Sequence, residues 1–483
     1  MRQKRLADFI KAYDVRGIVP EQLDVQVARA IGTAFAEVIA VPDAAAGVVV
    51  GHDMRPTSPE LARAFADGVA ARGLDVTLIG LCSTDGLYYA SGVLGLPGAM
   101  FTASHNPAQY NGIKMCRSGA RPVGQDTGLA DITRVAQNIL DVPGEPASGA
   151  PARAGEVRER DLLADYAAFL RGLVDLTGVR RLEVVVDAGN GMGGHTVPAV
   201  LSGLPLDVIP LYFELDGTFP NHEANPLEPA NLVDLQHAVV AHGSDIGLAF
   251  DGDADRCFVV DERGEPVSPS AITSLVAARE IAKQVAEGVP AADVTIVYNV
   301  ICSHAVREVI DECGARGVRT RVGHSFIKDE MARHDAVFGG EHSAHYYFRD
   351  FWYADTGMLA AMHVLAALGE QPGSLSELVA SYDRYVASGE INSTVSDVVD
   401  ASDRVERWAQ PYGVRVDRLD GLTVEHAGTE PHDDGMWWFS LRPSNTEPLL
   451  RLNVEARDRA TMESIRDAVL AVVREERPGG GDR

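Results

Sequence analysis

Four short segments of the 483-residue chain gather side chains able to do chemistry. The first is Asp251-Gly252-Asp253-Ala254-Asp255-Arg256, set between the apolar runs IGLAF and CFVVDE, which reads as a tight turn joining two strands. Alternating carboxylates in a turn converge on one side and hold a hard divalent cation through oxygen. Three carboxylates in five residues repel one another unless something positive sits among them. The rival is a calcium loop of the EF-hand type, since Asp251, Asp253, Asp255 and Glu262 fall at its positions 1, 3, 5 and 12. Position 6, where that loop needs glycine, is Arg256, and the flanks read as strands, not amphipathic helices. Magnesium with positions left open for a phosphate oxygen is the better fit.

The second segment is Thr102-Ala103-Ser104-His105-Asn106-Pro107, followed by Asn111-Gly112-Ile113-Lys114. A serine at a loop apex beside an imidazole, with a lysine ten residues on, suits a nucleophile or phosphoryl carrier. An ST-turn with a capping histidine is the plainer alternative. Lysine is scarce in this chain, five (Lys4, Lys11, Lys114, Lys283, Lys328) among 43 basic residues, and it is the cation whose pKa can fall far enough for acid–base work. The third segment, Gly340-Glu341-His342-Ser343-Ala344-His345, offers donors and acceptors for vicinal sugar hydroxyls, or is simply a polar surface loop. The fourth, Arg442-Pro443-Ser444-Asn445-Thr446-Glu447-Pro448, reads as a hairpin turn carrying a guanidinium, hydroxyls and an amide. That is the inventory of a phosphate cradle without a helix N-terminus.

The elements that must position these segments repeat. Gly47–Val50 reads as a strand, and a helix follows with Ser58 as N-cap, Pro59 at its first position and Leu61, Phe65 and Val69 on one face. The chain returns as a strand over Asp75–Ile79. LEVVVDAGNGMGG, a helix near Thr196–Leu201 and LDVIPLYF form a second such unit, and DVTIVYNVICSHAVREVIDECGARGVRTRVG a third. Each has the size of a right-handed crossover in a parallel sheet, which predicts α/β domains in series. A Pro-, Ala- and Gly-rich stretch at 142–156 reads as a linker, and the last hundred residues as a smaller α+β domain closed by a helix over Asp458–Glu476.

A net charge of −26 argues against nucleic acid and anionic membrane as partners, so any phosphate must be held by local positive groups or a metal. Five cysteines without C-x-x-C spacing suggest reduced thiols. The start MRQKRLADFIKAYD lacks an apolar signal segment, and no apolar run approaches a membrane span. A cytoplasmic protein is the expectation.

Together the segments TASHNP, DGDADR, GEHSAH and RPSNTEP, with Tyr13-Asp14-Val15-Arg16-Gly17 near the start, resemble the α-D-phosphohexomutase family, in its bacterial phosphomannomutase/phosphoglucomutase branch. The motifs stand in the family's order, one per domain. The resemblance implies three tandem α/β domains with mixed sheets plus a smaller C-terminal α+β domain around a central cleft, over 1–150, 157–258, 259–372 and 373–483. It implies reversible interconversion of mannose 6-phosphate and mannose 1-phosphate, with glucose phosphates as further substrates, through phosphoserine and a hexose 1,6-bisphosphate. Ser104 would carry the phosphoryl group and complete Mg2+ coordination with Asp251, Asp253 and Asp255. Arg16, His105 and Lys114 would be the other catalytic groups. Tyr13, Arg256, His324, Glu341, Ser343, His345, Arg442, Ser444, Asn445 and Thr446 would bind the hexose phosphate. His342 departs from the methionine of dual-specificity members, which makes it the first place to look for sugar preference; phosphoglucosamine mutase and a metal-dependent sugar-phosphate phosphatase are the alternatives. The oligomeric state, monomer or dimer, is left open.

Overall fold

The computed structural model describes residues 4–10, 13–142, 153–427, 435–443 and 449–475. Each of the three predicted strand–helix–strand units forms a parallel pair: Gly47–His52 with Asp75–Leu81, Leu182–Asp187 with Leu206–Leu211, and Thr295–Asn299 with Arg316–Thr320. Leu61, Phe65 and Val69 are buried as their spacing requires. Ser58 is not the cap of its helix, however. It is the first helical residue, and its hydroxyl donates to Asp53 Oδ1 at 2.6 Å. The last helix spans Arg459–Val473, with the Asp458 carboxylate capping Thr461 N.

A strand then reverses direction in each of these sheets. Gly98–Phe101 is parallel to Gly47–His52 and antiparallel to Tyr110–Arg117. Ile246–Phe250 is parallel to Leu182–Asp187 and antiparallel to Cys257–Asp261. Phe338–Gly340 is parallel to Thr295–Asn299 and antiparallel to Tyr346–Phe348. The TASHNP, DGDADR and GEHSAH segments are the three reversals. Each therefore leaves the C-terminal end of a strand in a mixed α/β sheet, where such sheets gather ligands. The fourth sheet is wholly antiparallel; its long pair Trp437–Pro443 and Leu449–Ala456 flanks the fourth segment. The fold is three α/β domains and a C-terminal α+β domain.

Two of the expected boundaries cut through sheets. Val157–Glu159 lies along Asp75–Leu81 as an edge strand of the first sheet, and 258/259 falls inside the strand Cys257–Asp261. The linker composition that suggested 157 falls mainly on residues 143–152, outside the described residues.

One apolar core runs through the first three domains, beside a second that lies within the first alone. At their junction Phe169 of the second stacks on Trp352 of the third at 5.3 Å, and Tyr89 of the first meets both rings. A Cβ on Gly92 would stand 2.2 Å from the Trp352 ring, so only glycine admits this contact. Nearby, the buried Asp85 accepts hydroxyls from Ser83 of its own domain, Tyr166 of the second (2.7 Å) and Thr356 of the third (2.7 Å). The fourth domain has a separate core. It meets the third through an apolar patch of Ala305, Tyr385, Met436 and Trp438 and through charge: Arg319 pairs with Asp417 and with Glu425 (3.1 Å), Arg321 with Asp420 (3.6 Å), and Glu455 accepts from His304 N (3.0 Å).

Candidate active site

Ser104 sits at φ +49, a left-handed backbone unusual for serine. Thr102 Oγ1 accepts its N–H at 2.9 Å. The Ser104 hydroxyl donates to Asp251 Oδ2 at 2.8 Å, across the boundary between the first and second domains. The approach is close because residue 252 is glycine: a Cβ there would lie 2.3 Å from Ser104 O.

The three aspartates converge as the turn predicted. Their oxygens lie within 4.8 Å of one another and all three are buried. Arg256 donates to Asp251 through Nε and Nη2. Lys114 Nζ bridges Asp253 (2.7 Å) and Asp255 (2.5 Å), and Thr84 Oγ1 donates to Asp253 at 2.5 Å. Burial pushes the Asp251 carboxyl up to about 7 against the opposing pull of Arg256. Burial also works against ionised Asp255, but Lys114 overcomes it and holds that group down at about 2. One oxygen each of Asp253 and Asp255 is buried without a hydrogen-bond partner. All-oxygen donors with two unmatched carboxylate oxygens fit a hard divalent cation.

A cleft of about 140 Å3 opens above this cluster, lined by Tyr13, Arg16, Ser104, His105, Lys114, Asp255, Arg256, His324 and His345 among others. These expected site residues, from the first three domains, are thus brought together. Arg16 donates to Asp14 (2.7 Å) and to Asn106 of the serine loop (2.6 Å). Tyr13 meets the edge of His324 at 4.8 Å. His105 Nδ1 accepts from Arg256 at 2.7 Å and lies 3.3 Å from Ser104 Oγ. Burial and then the Arg256 charge push His105 down to about 3, and burial brings His324 to about 4, so both rings are neutral at pH 7. Glu341 is buried and accepts from Gly323 N and Ser343 Oγ, both at 3.2 Å, and Ser343 Oγ lies 3.0 Å from His345 Nδ1.

Several expectations change. Burial acts to lower the Lys114 pKa, but the Asp253 and Asp255 carboxylates it bridges outweigh burial and raise it. His342 turns away from the cleft: its Nδ1 meets Ser270 Oγ at 3.0 Å, and its ring lines a separate cavity of about 590 Å3 between the second, third and fourth domains. Arg442 is engaged by Asp420 (3.5 Å) and Glu390 (3.7 Å) and does not line the cleft. Ser444, Asn445 and Thr446 lie outside the described residues.

The sequence reading missed Arg55, Thr84, Lys328 and Asp355. Lys328 and Asp355 form a buried pair at 2.7 Å, with the ammonium 4.3 Å from the centre of the Tyr88 ring. A lysine in a chain with only five was a usable signal for Lys328.

The same four domains appear in known proteins. Models of the phosphoglucomutase/phosphomannomutase α/β/α domains I, II and III match residues 8–141, 164–264 and 270–385, and that of the C-terminal domain matches 390–472. The chain belongs to this family. A phosphomannomutase of Escherichia coli strain K12 is 38% identical over 482 residues, covering 98% of this chain and 100% of that protein. Phosphohexose mutases of Xanthomonas campestris are 39% identical over 457 residues, covering 94% and 96%. A crystal structure of a phosphoglucomutase/phosphomannomutase family protein from Burkholderia thailandensis superposes with a TM-score of 0.84 at 30% identity, covering 98% of each chain. The cleft is thus the candidate active site of a phosphohexomutase.

Proposed function

We propose that this enzyme reversibly interconverts mannose 6-phosphate and mannose 1-phosphate, with Ser104 as the phosphoryl carrier. The carrying observation is the placement of Ser104, which lines the cleft and whose hydroxyl lies 2.8 Å from a buried carboxylate cluster. Phospho-Ser104 gives its phosphoryl group to the free hydroxyl of the hexose monophosphate. The hexose 1,6-bisphosphate then presents its other phosphate, which returns to Ser104 and leaves the isomeric monophosphate. One carrier and one cleft serve both ends of the sugar.

Asp251, Asp253 and Asp255 would hold Mg2+, which supplies positive charge against the transferring phosphoryl group. Arg16, Lys114 and Arg256 add fixed positive charge around the same point, as dispersed charge on a phosphoryl group requires. The neutral His324, together with His345, Glu341 and Ser343, can exchange hydrogen bonds with sugar hydroxyls. Arg442 would take the phosphate that is not reacting, in exchange for its long contacts to Asp420 and Glu390.

Intact mass after incubation with a hexose 1,6-bisphosphate tests the reading. Wild-type protein should gain one phosphoryl group, and Ser104→Ala should gain none and lose about 100-fold or more of its turnover. A phosphorylated Ser104→Ala protein, or one within a few-fold of wild-type rate, would overturn it.

A further inference from the structure

The loop carrying Ser104 has little regular structure, yet its backbone is held at unusual angles. The holding group is Arg55, which lies outside the cleft. It stands in the connection after the parallel strand Gly47–His52 and is 1% exposed. Its Nη2 donates to Ser104 O (2.9 Å) and Asn106 O (2.7 Å), and its Nη1 to Pro107 O and Tyr110 O (both 3.0 Å). One planar fork therefore takes four carbonyls spread over seven residues, a task that five rigid donors suit and an ammonium does not.

The fork is itself fixed from two sides. Asp53 Oδ2 lies 3.2 Å from Arg55 Nε, and Asp53 Oδ1 accepts from Arg55 N (3.0 Å). From the second domain, the Phe219 ring covers the guanidinium at 5.0 Å. The Ser104 carbonyl is thus caught between Arg55 and the Gly252 backbone, while Thr102 fixes its N–H. With both backbone groups tied, the left-handed conformation of Ser104 is fixed by Thr102 within the loop and by Arg55 from outside it.

We propose that Arg55 is a positioning residue for phosphoryl transfer, which sets the direction of the Ser104 hydroxyl by holding the backbone of residues 104–110. The proposal rests on the carrier role of Ser104. A lysine at 55 keeps the charge but cannot span the four carbonyls. A displacement of the reacting atom by about 1 Å is enough to cost on the order of 100-fold in rate. Substrate affinity is carried by cleft residues that Arg55 does not touch.

The test compares wild type, Arg55→Lys and Phe219→Leu by steady-state kinetics, by the rate of Ser104 phosphorylation from hexose 1,6-bisphosphate, and by amide hydrogen exchange over 102–110. Arg55→Lys should lose about tenfold or more in kcat and in phosphorylation rate, with KM for the hexose phosphate within twofold, and should exchange faster in the loop. Phe219→Leu should show the same split on a smaller scale, and it decides alone should Arg55→Lys fail to fold. Folded variants with wild-type kcat, or with losses confined to KM, would overturn the proposal. Wild-type protein that is never phosphorylated on Ser104 would instead overturn the carrier reading, and loop exchange would still report whether Arg55 holds the backbone.

Discussion

A left-handed backbone costs a non-glycine residue about 1–2 kcal/mol, so the φ of +49 at Ser104 persists only because Thr102 and Arg55 hold its two backbone groups. The TASHNP segment announced a reactive serine, but the Arg55 half of its hold is a tertiary contact that leaves no mark in six residues. The same limit explains His342. Its place in GEHSAH pointed to the sugar, whereas the ring reaches Ser270 at the start of another helix. His342→Met should therefore shift kcat/KM for mannose and glucose phosphates by the same factor, leaving their ratio within about twofold. Measuring both sugars with both enzymes decides this; a changed ratio would return His342 to the sugar site. Chemically distinctive residues were legible as sites, and the direction each side chain takes was not.

Each loop in the first three domains is the reversal between a parallel strand and an antiparallel neighbour, and this was half visible. The strand–helix–strand units were readable from apolar periodicity, because short buried parallel strands and one-faced helices leave clear patterns. That the following strand turns back was not, since pairing partners are set by sheet order. The reversals face each other at close range, with glycine at the contact. Gly252→Ala would put a methyl group 2.3 Å from the Ser104 carbonyl, which cannot yield without moving the serine. Forced separation of this kind costs about 1–3 kcal/mol. We expect kcat to fall by about 10- to 100-fold, with the fold retained by circular dichroism. Wild-type turnover in this variant would mean that the serine and carboxylate loops need not touch.

At the scale of the molecule, Asp85 joins three domains through three hydroxyls. Burial still outweighs those donors and pushes its carboxyl up to about 6. A carboxyl whose folded pKa exceeds its unfolded value of about 3.9 contributes its full stability below that value and loses it as pH rises through 6. Asp85→Asn does not ionise, so its stability relative to wild type should improve between pH 5 and pH 8, by on the order of 1 kcal/mol. Thermal unfolding of both proteins at the two pH values reads this difference, and a constant offset would show that Asp85 is not buried as described.

The shared core of the first three domains and the ion pairs at the seam of the fourth respond to salt in opposite senses. At physiological ionic strength charges feel each other over about 8 Å, and at 1 M over about 3 Å, so partly exposed pairs such as Arg321 with Asp420 fade first. Sulfate or phosphate at high concentration strengthens apolar burial over the same range. Concentrated salt thus tightens the body formed by the first three domains while weakening the ion pairs of the seam and sparing its apolar patch, so the hold on the fourth domain shifts from charge to packing.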